Sequence, residues 1–254
     1  MNLICLDEYA IRYLAGNQFH SRSDRIVILL HGIGASADRW TAVFPRLCEN
    51  FEVIIPDIVG FGYSDKPTVE YTMDFFVDFL DKFMKALSIE RASFIGSSFG
   101  GFLATEYALK YPDKVRKLVL VSPAGTMRAS TQTLDEYIMA ALYPTYENVS
   151  KAFSNMTFSS DIVPDSTIRD FINRMRLPNA KYAFMSTLLG IRDSPKLKGR
   201  LSKINHPTLF IWGEHDHMIP LEYSAEYVEI LDSTTTVMKG CGHTPYVEKP
   251  EEFT

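Results

Sequence analysis

The sequence predicts an α/β fold built on a mostly parallel sheet, and three observations carry that prediction. Five short apolar runs rich in β-branched residues recur along the chain: Ile26 to Leu30, Phe51 to Ile55, Ala92 to Ile95, Lys117 to Val121 and Thr208 to Trp212. Continuous apolar runs of this length suit strands covered on both faces. Helical periodicity separates them over Thr72 to Leu87 and Gly101 to Tyr111, the second ended by Pro112, which cannot continue a helix. Strand, helix and strand in succession imply right-handed crossovers and a layered architecture.

The other elements follow in chain order. Leu3 to Leu14 reads as an antiparallel hairpin turning near Asp7 and Glu8. From about Thr126 to Arg200 no strand candidate occurs, only helical stretches separated by Pro144, Pro164, Pro178 and Pro195. Strand-like sequence resumes at Pro207, so the simplest reading is a helical insertion between two core strands. Residues 1–125 and 201–254 then form a core domain, and 126–200 a helical cap.

Composition narrows the function. With 254 residues, 46% of them hydrophobic, the chain is long enough for one domain with a large core. A formal charge of -5 provides no electrostatic footprint for nucleic acid and no polybasic patch for a membrane. Asp7 and Glu8 stand where a signal peptide needs its apolar stretch, and no uncharged apolar run reaches about 18 residues. Cys5, Cys48 and Cys241 are too scattered for a disulfide framework. A cytoplasmic protein acting on a small molecule is expected, with no nucleic-acid or membrane partner and no partner chain specified.

Chemistry concentrates at four places. Gly96-Ser97-Ser98-Phe99-Gly100 lies between a strand and a helix. A serine presented on so tight a turn makes a nucleophile, provided glycines stand two residues either side. Ser98 has Gly96 and Gly100 there, whereas Ser97 would have Ile95 and Phe99, so Ser98 is the candidate. His31-Gly32-Ile33-Gly34 follows the first core strand. It suits the second donor of an oxyanion hole, from the Ile33 amide with Gly34 as the alternative, beside the amide of Phe99. His31 is expected to brace that loop.

Trp212-Gly213-Glu214-His215-Asp216-His217 ends the last clear strand and supplies a carboxylate that could orient a base, with Asp216 preferred. His215 and His217 flank it, but neighbours in extended backbone point apart, so no metal site is expected. Gly240-Cys241-Gly242-His243 places a histidine on a glycine-flanked loop near the C-terminus, and His243 best fits the base. His20 and His206 read as structural or surface residues, and Cys241 lacks the turn a nucleophile needs. The order Ser98, Asp216, His243 matches one of the known arrangements of a Ser-His-Asp triad.

Taken together, HGIGA, PDIVGFGYSDKP, GSSFGG, PTLFIWGEHDHMIP and GCGHTPYVEKPEEF resemble α/β-hydrolases of the esterase and C–C hydrolase branch. The resemblance implies an eight-stranded, mostly parallel sheet with the active site at the strands' C-terminal ends and the cap above it. It also implies that Asp57 shapes a turn, and that a further helix follows the PEEF motif, where this sequence stops at Thr254. Meta-cleavage C–C hydrolases usually carry Gly-Pro-Gly after the oxyanion His-Gly and tryptophan after the catalytic histidine. This sequence has Gly34-Ala35-Ser36 and Thr244.

The expected function is therefore hydrolysis of a small to medium, largely apolar carboxylic ester, with no cofactor and no metal. Gly32, Gly34, Met127, Tyr143, Phe171 and Trp212 are the expected substrate contacts. The alternatives are a C–C hydrolase of a dienone acid, whose carboxylate a cap arginine among Arg169, Arg174 and Arg176 would hold, and a non-catalytic receptor on the same fold.

Overall fold

A computed structural model describes residues 2–16, 23–159, 162–231, 233 and 235–254. Eight strands form one sheet: β1 (Asn2–Leu6), β2 (Tyr9–Ala15), β3 (Ile26–Leu30), β4 (Glu52–Pro56), β5 (Ala92–Ser97), β6 (Val115–Val121), β7 (Thr208–Gly213) and β8 (Thr235–Met238). Their spatial order is β1-β2-β4-β3-β5-β6-β7-β8. The hairpin β1–β2 and the β2–β4 pair are antiparallel and the remaining pairs parallel. The strands sit where their apolar runs place them, with small shifts at the ends. Phe51 stays 44% exposed, and β4 begins one residue later. His20 falls outside the described residues.

The helices are α1 (Phe44–Leu47), α2 (Met73–Ala86), α3 (Phe99–Lys110), α4 (Gln132–Leu142), α5 (Tyr146–Met156), α6 (Asp165–Met175), α7 (Ala180–Asp193) and α8 (Ser224–Leu231), with short turns α9 (Pro245–Glu248) and α10 (Pro250–Phe253). Thr72 starts α2 by accepting the Phe75 N–H, and Thr131 and Thr145 cap α4 and α5 in the same way. Each cap satisfies an amide the first helical turn leaves unpaired. Four helices, α4 to α7, stand between β6 and β7, and Tyr137 of α4 and Arg174 of α6 reach the turn that leaves β3.

Side chains alternate across the sheet. Ile26, Ile28 and Leu30 join the larger core with α2, α3 and the inserted helices, whereas Val27 and Leu29 join a smaller core with Trp40 and Tyr246. Both faces are covered, which is why the central strands read as unbroken apolar runs. The chain leaves β3 to one side for β4 and returns to the other for β5, so the sheet changes winding direction between β3 and β5. Ligands of open α/β sheets bind at such a switch point. Leu30 pairs with Gly96, so the turns leaving these two strands start level with each other.

Candidate active site

Ser98 adopts φ 55° and ψ −117°, a conformation that costs a non-glycine residue about 1 to 3 kcal/mol. The flanking glycines make it possible. A Cβ on Gly96 would come within 2.4 Å of the Gly100 carbonyl oxygen, and one on Gly100 within 2.2 Å of the Leu30 oxygen. The Ser98 N–H donates to Val121 O at 2.9 Å, tying the turn to β6. Phe99 opens α3 and turns its ring into the core against Phe61 and Phe76, so only its backbone belongs to the site.

His243 and Asp216 come together as expected, at 2.8 Å between Nδ1 and Oδ2. They are 3% and 4% exposed. The other carboxylate oxygen, Oδ1, accepts the N–H groups of Met218 and Ile219. Those bonds aim Oδ2 at the ring and require Nδ1 to carry the proton, leaving Nε2 as the acceptor. The His243 N–H donates to Met156 O at 2.7 Å. Gly242 lets that cap carbonyl approach, since a Cβ there would stand 2.3 Å from it. Among the described residues the Ser98 hydroxyl makes no hydrogen bond to protein. It shares one cavity with His243, and nucleophile–base pairs commonly tighten when substrate binds.

The turn after β3 lies against Ser98. A Cβ on Gly32 would meet Ser98 Cβ at 3.4 Å. Neither the Ile33 nor the Phe99 N–H has a backbone acceptor among the described residues. His31 is fully buried beneath the turn, its Nδ1 2.8 Å from Gly32 O while Nε2 accepts the Ile58 N–H. Asp57 shapes the adjoining loop, accepting from Ala37 N, Tyr63 N and Arg12 Nη1.

Burial pushes the His31 imidazole down to about 4, against the pull of Asp57. Folding keeps it neutral while the unfolded chain protonates near 6.5, so its stabilisation is complete above that value. It is lost as pH falls from about 6.5 through about 4, a contribution of about 3 kcal/mol. We expect urea midpoints to fall over this window, and to fall less steeply in His31→Gln. Equal pH slopes for both chains would remove His31 from the account.

The cavity over Ser98 is narrow, with about 40 Å³ of open volume. Gly32, Ile33, Ser98, Phe171 and His243 line it as expected. Tyr137, Phe153, Met156, Met218, Arg39 and Arg174 line it as well. Four residues expected as substrate contacts are not among those lining it. Tyr143 follows α4 as its C-cap, where the backbone has left the helix at φ −122° and ψ 71°, and its side chain is 60% exposed. Trp212 is fully buried within β7 and donates its ring N–H to Ile219 O, so it supports the Asp216 loop from the core. Met127 packs against the core and does not reach the cavity. Gly34, at φ +70°, is not part of the lining and packs against Phe184 and the Tyr137 hydroxyl.

Arg169 is exposed and paired with Asp165, whereas Arg174 is 3% exposed and enters the cavity wall. Arg174 Nε donates to Asp170 and Nη1 to Gly34 O, both at 2.7 Å. Its Nη2 has no protein acceptor among the described residues. Glu248 is a residue the sequence reading missed. Its two oxygens accept the N–H groups of Gly242, Thr244 and Phe158 and so shape the His243 loop. Its spacing five residues beyond the histidine was the available signal. Burial pushes the Cys241 thiol up to about 11, so it stays protonated. His215 stacks on Phe158, and among the described residues no cluster of three or more His, Cys, Asp or Glu could hold a metal. No helix among them is long and apolar enough to cross a membrane.

Comparison with known proteins bears on this geometry. The chain is 29% identical over 237 residues to 2-hydroxy-6-oxo-2,4-heptadienoate hydrolase of Pseudomonas putida F1, covering 89% of this chain and 85% of that one. It is 29% identical over 232 residues to lipase 3 of Moraxella sp. TA144, covering 87% and 72%. Among solved structures, the meta-cleavage product hydrolase of Pseudomonas fluorescens IP01 superposes with a TM-score of 0.86 at 29% identity, covering 100% and 94%. Residues 25–250 match the model of the alpha/beta hydrolase fold. With that match over most of its length, the eight-stranded sheet and a serine at the strand-to-helix turn, the chain belongs to the alpha/beta hydrolase fold family as a serine hydrolase.

Proposed function

We propose that this serine hydrolase cleaves a carbon–carbon bond next to a carbonyl in a small dienone acid. The observation that carries the reading is Arg174, buried in the wall of the cavity that holds Ser98 and His243, with Nη2 free of protein acceptors among the described residues. A guanidinium kept from water beside a nucleophile is a ready partner for a substrate carboxylate. The similarity to enzymes named for 2,4-dienoate or 2,4-dienoic acid substrates supports it. The carboxylic ester favoured by the sequence alone becomes the second reading, supported by the apolar lining of Phe153, Met156 and Phe171, by the likeness to a lipase, and by Ala35, Ser36 and Thr244. In this reading the helices of 126–200 serve as the roof over a core formed by the rest of the chain.

The residues divide the work. Ser98 Oγ attacks the carbonyl carbon as His243 Nε2 takes its proton, and Asp216 stabilises the imidazolium. The Phe99 and Ile33 amides stabilise the tetrahedral oxyanion. In the keto form of the acid the carbon next to the carbonyl is saturated, so collapse of the adduct breaks the bond to it. Its electron pair passes into the conjugated keto acid as a dienolate, which takes the proton held by His243. Water, deprotonated by His243, then releases the second acid from Ser98.

Arg174→Ala tests the assignment against 4-nitrophenyl butyrate and a 6-oxo dienone acid. Losing a buried charge-assisted contact costs about 2 to 5 kcal/mol, so kcat/KM for the acid should fall by at least about 30-fold. The ester should lose distinctly less, and Arg169→Ala should leave both nearly unchanged. A wild type that turns over the ester but not the acid would move the function to the second reading. Equal losses on both substrates would deny Arg174 its carboxylate.

A further inference from the structure

The turn expected to stabilise the oxyanion is gripped from above by side chains of the inserted helices. Gly32 to Ala35 form a tight turn closed by the Ala35 N–H on Gly32 O at 3.2 Å. Gly34 sits in its third position with φ +70°, the positive value a type II turn requires there. Such a turn differs from a type I turn chiefly in the facing of its central peptide, here the Ile33 carbonyl and Gly34 amide.

Three carbonyls in a row are held by buried side chains. His31 holds Gly32 O, as described above. Tyr137, from α4, donates its hydroxyl to Ile33 O at 2.7 Å and is 5% exposed. Arg174, from α6, donates to Gly34 O at 2.7 Å. Burial pushes the Tyr137 hydroxyl up to about 12, so it remains a donor at neutral pH. Phe184 of α7 closes the packing, since a Cβ on Gly34 would come within 3.0 Å of its ring. In a trans peptide the carbonyl and the amide point in opposite directions. Holding each oxygen therefore fixes the direction of the next residue's N–H.

We infer that Tyr137 is a positioning residue: through Ile33 O it locks the central peptide of the oxyanion turn, so that the turn is set by the helical insertion as well as by the core. Without the hydroxyl, the central peptide can rotate and carry the Ile33 oxygen out of its present place. That peptide carries the Gly34 amide, the alternative oxyanion donor, and its rotation also loosens the Ile33 backbone that joins it to the Ile33 amide, whose own peptide His31 holds at Gly32 O. The donors lose their fixed aim at the cost of the transition state, while a ground-state substrate binds as before. The inference rests on the hydrolase reading above and adds to it which side chain sets the donor geometry.

The test is Tyr137→Phe, which removes one oxygen and preserves the ring contacts with Phe153, Phe171 and Phe184. With 4-nitrophenyl butyrate, kcat should fall about 10- to 100-fold while KM changes less than about two-fold. Affinity for butylboronic acid, which forms a tetrahedral adduct on the serine, should fall in step with kcat. Amide hydrogen exchange at Ile33 and Gly34 should quicken. Tyr143→Phe, on the exposed end of α4, should match wild type in all three measurements. A Tyr137→Phe enzyme with kcat within two-fold of wild type overturns the inference. So does a rise in KM with unaltered exchange, which would make Tyr137 a packing residue for substrate. If wild type hydrolyses neither the ester nor the dienone acid, the hydrolase reading fails on its own, and the exchange rates still judge the turn.

Discussion

Replacing Ser98 with alanine is expected to lower kcat by about five to six orders of magnitude while the thermal midpoint stays within a few degrees. Removing the nucleophile of subtilisin cost about 10⁶ in kcat, and little else at this site could substitute for the hydroxyl. Alanine can occupy the same backbone conformation at the same strain, φ 55° and ψ −117°, so the fold has no reason to change. Ser97→Ala is the internal comparison. Ser97 ends β5 in register with Val121, 1% exposed, and its neighbours at the ±2 positions are Ile95 and Phe99. It should retain most activity. Labelling by a fluorophosphonate gives a second readout, because it should vanish in Ser98→Ala and persist in Ser97→Ala. The reverse pattern would move the nucleophile by one residue and undo the reading of the turn.

Asp216→Asn is expected to cost about 10⁴ in kcat, the size of the effect in the trypsin triad. Oδ1 is held by the Met218 and Ile219 amides, so an asparagine would keep its oxygen there and turn its NH₂ towards His243 Nδ1. The ring would then have to accept at Nδ1 and carry its proton on Nε2, where it cannot take one from Ser98. Glu214→Gln should cost less than about ten-fold, for Glu214 is largely exposed and meets His215 and the Gly240 N–H away from the cavity. Steady-state rates on one ester suffice to compare the two. Similar mild losses in both variants would place the orienting acid elsewhere.

The two variants probe parts of the molecule that differ in how far they could be read from the chain. The strand-to-helix turn was legible because its demands are local. A serine at positive φ needs glycine two residues either side, and the clashes at Gly96 and Gly100 involve backbone the turn itself brings close. The same holds for β3, β5 and β7, whose unbroken apolar runs follow from burial on both faces. Because the catalytic candidates stand at the ends of those strands, the parallel sheet gathers them at one edge.

The roof of the cavity was not legible in that way. Tyr137 on α4 and Tyr143 just beyond its end lie six residues apart, yet the second faces water and the first binds the Gly32–Ala35 turn. Buried Thr133, Tyr137, Ala140 and Ala141 recur at helical spacing, which marks the inward face but not what that face meets. Arg169 and Arg174, five residues apart on α6, separate in the same manner into a surface ion pair and a buried cavity residue. Trp212 was placed in the cavity by its nearness in sequence to Asp216, but period-two alternation along β7 sends its ring into the core. The sequence by itself determined the sheet and the strand-to-helix turn at Ser98, since backbone sterics and strand periodicity act over a few residues. Only the tertiary structure decided which cap side chains reach the site, because that depends on how four helices pack against a loop more than a hundred residues earlier in the chain.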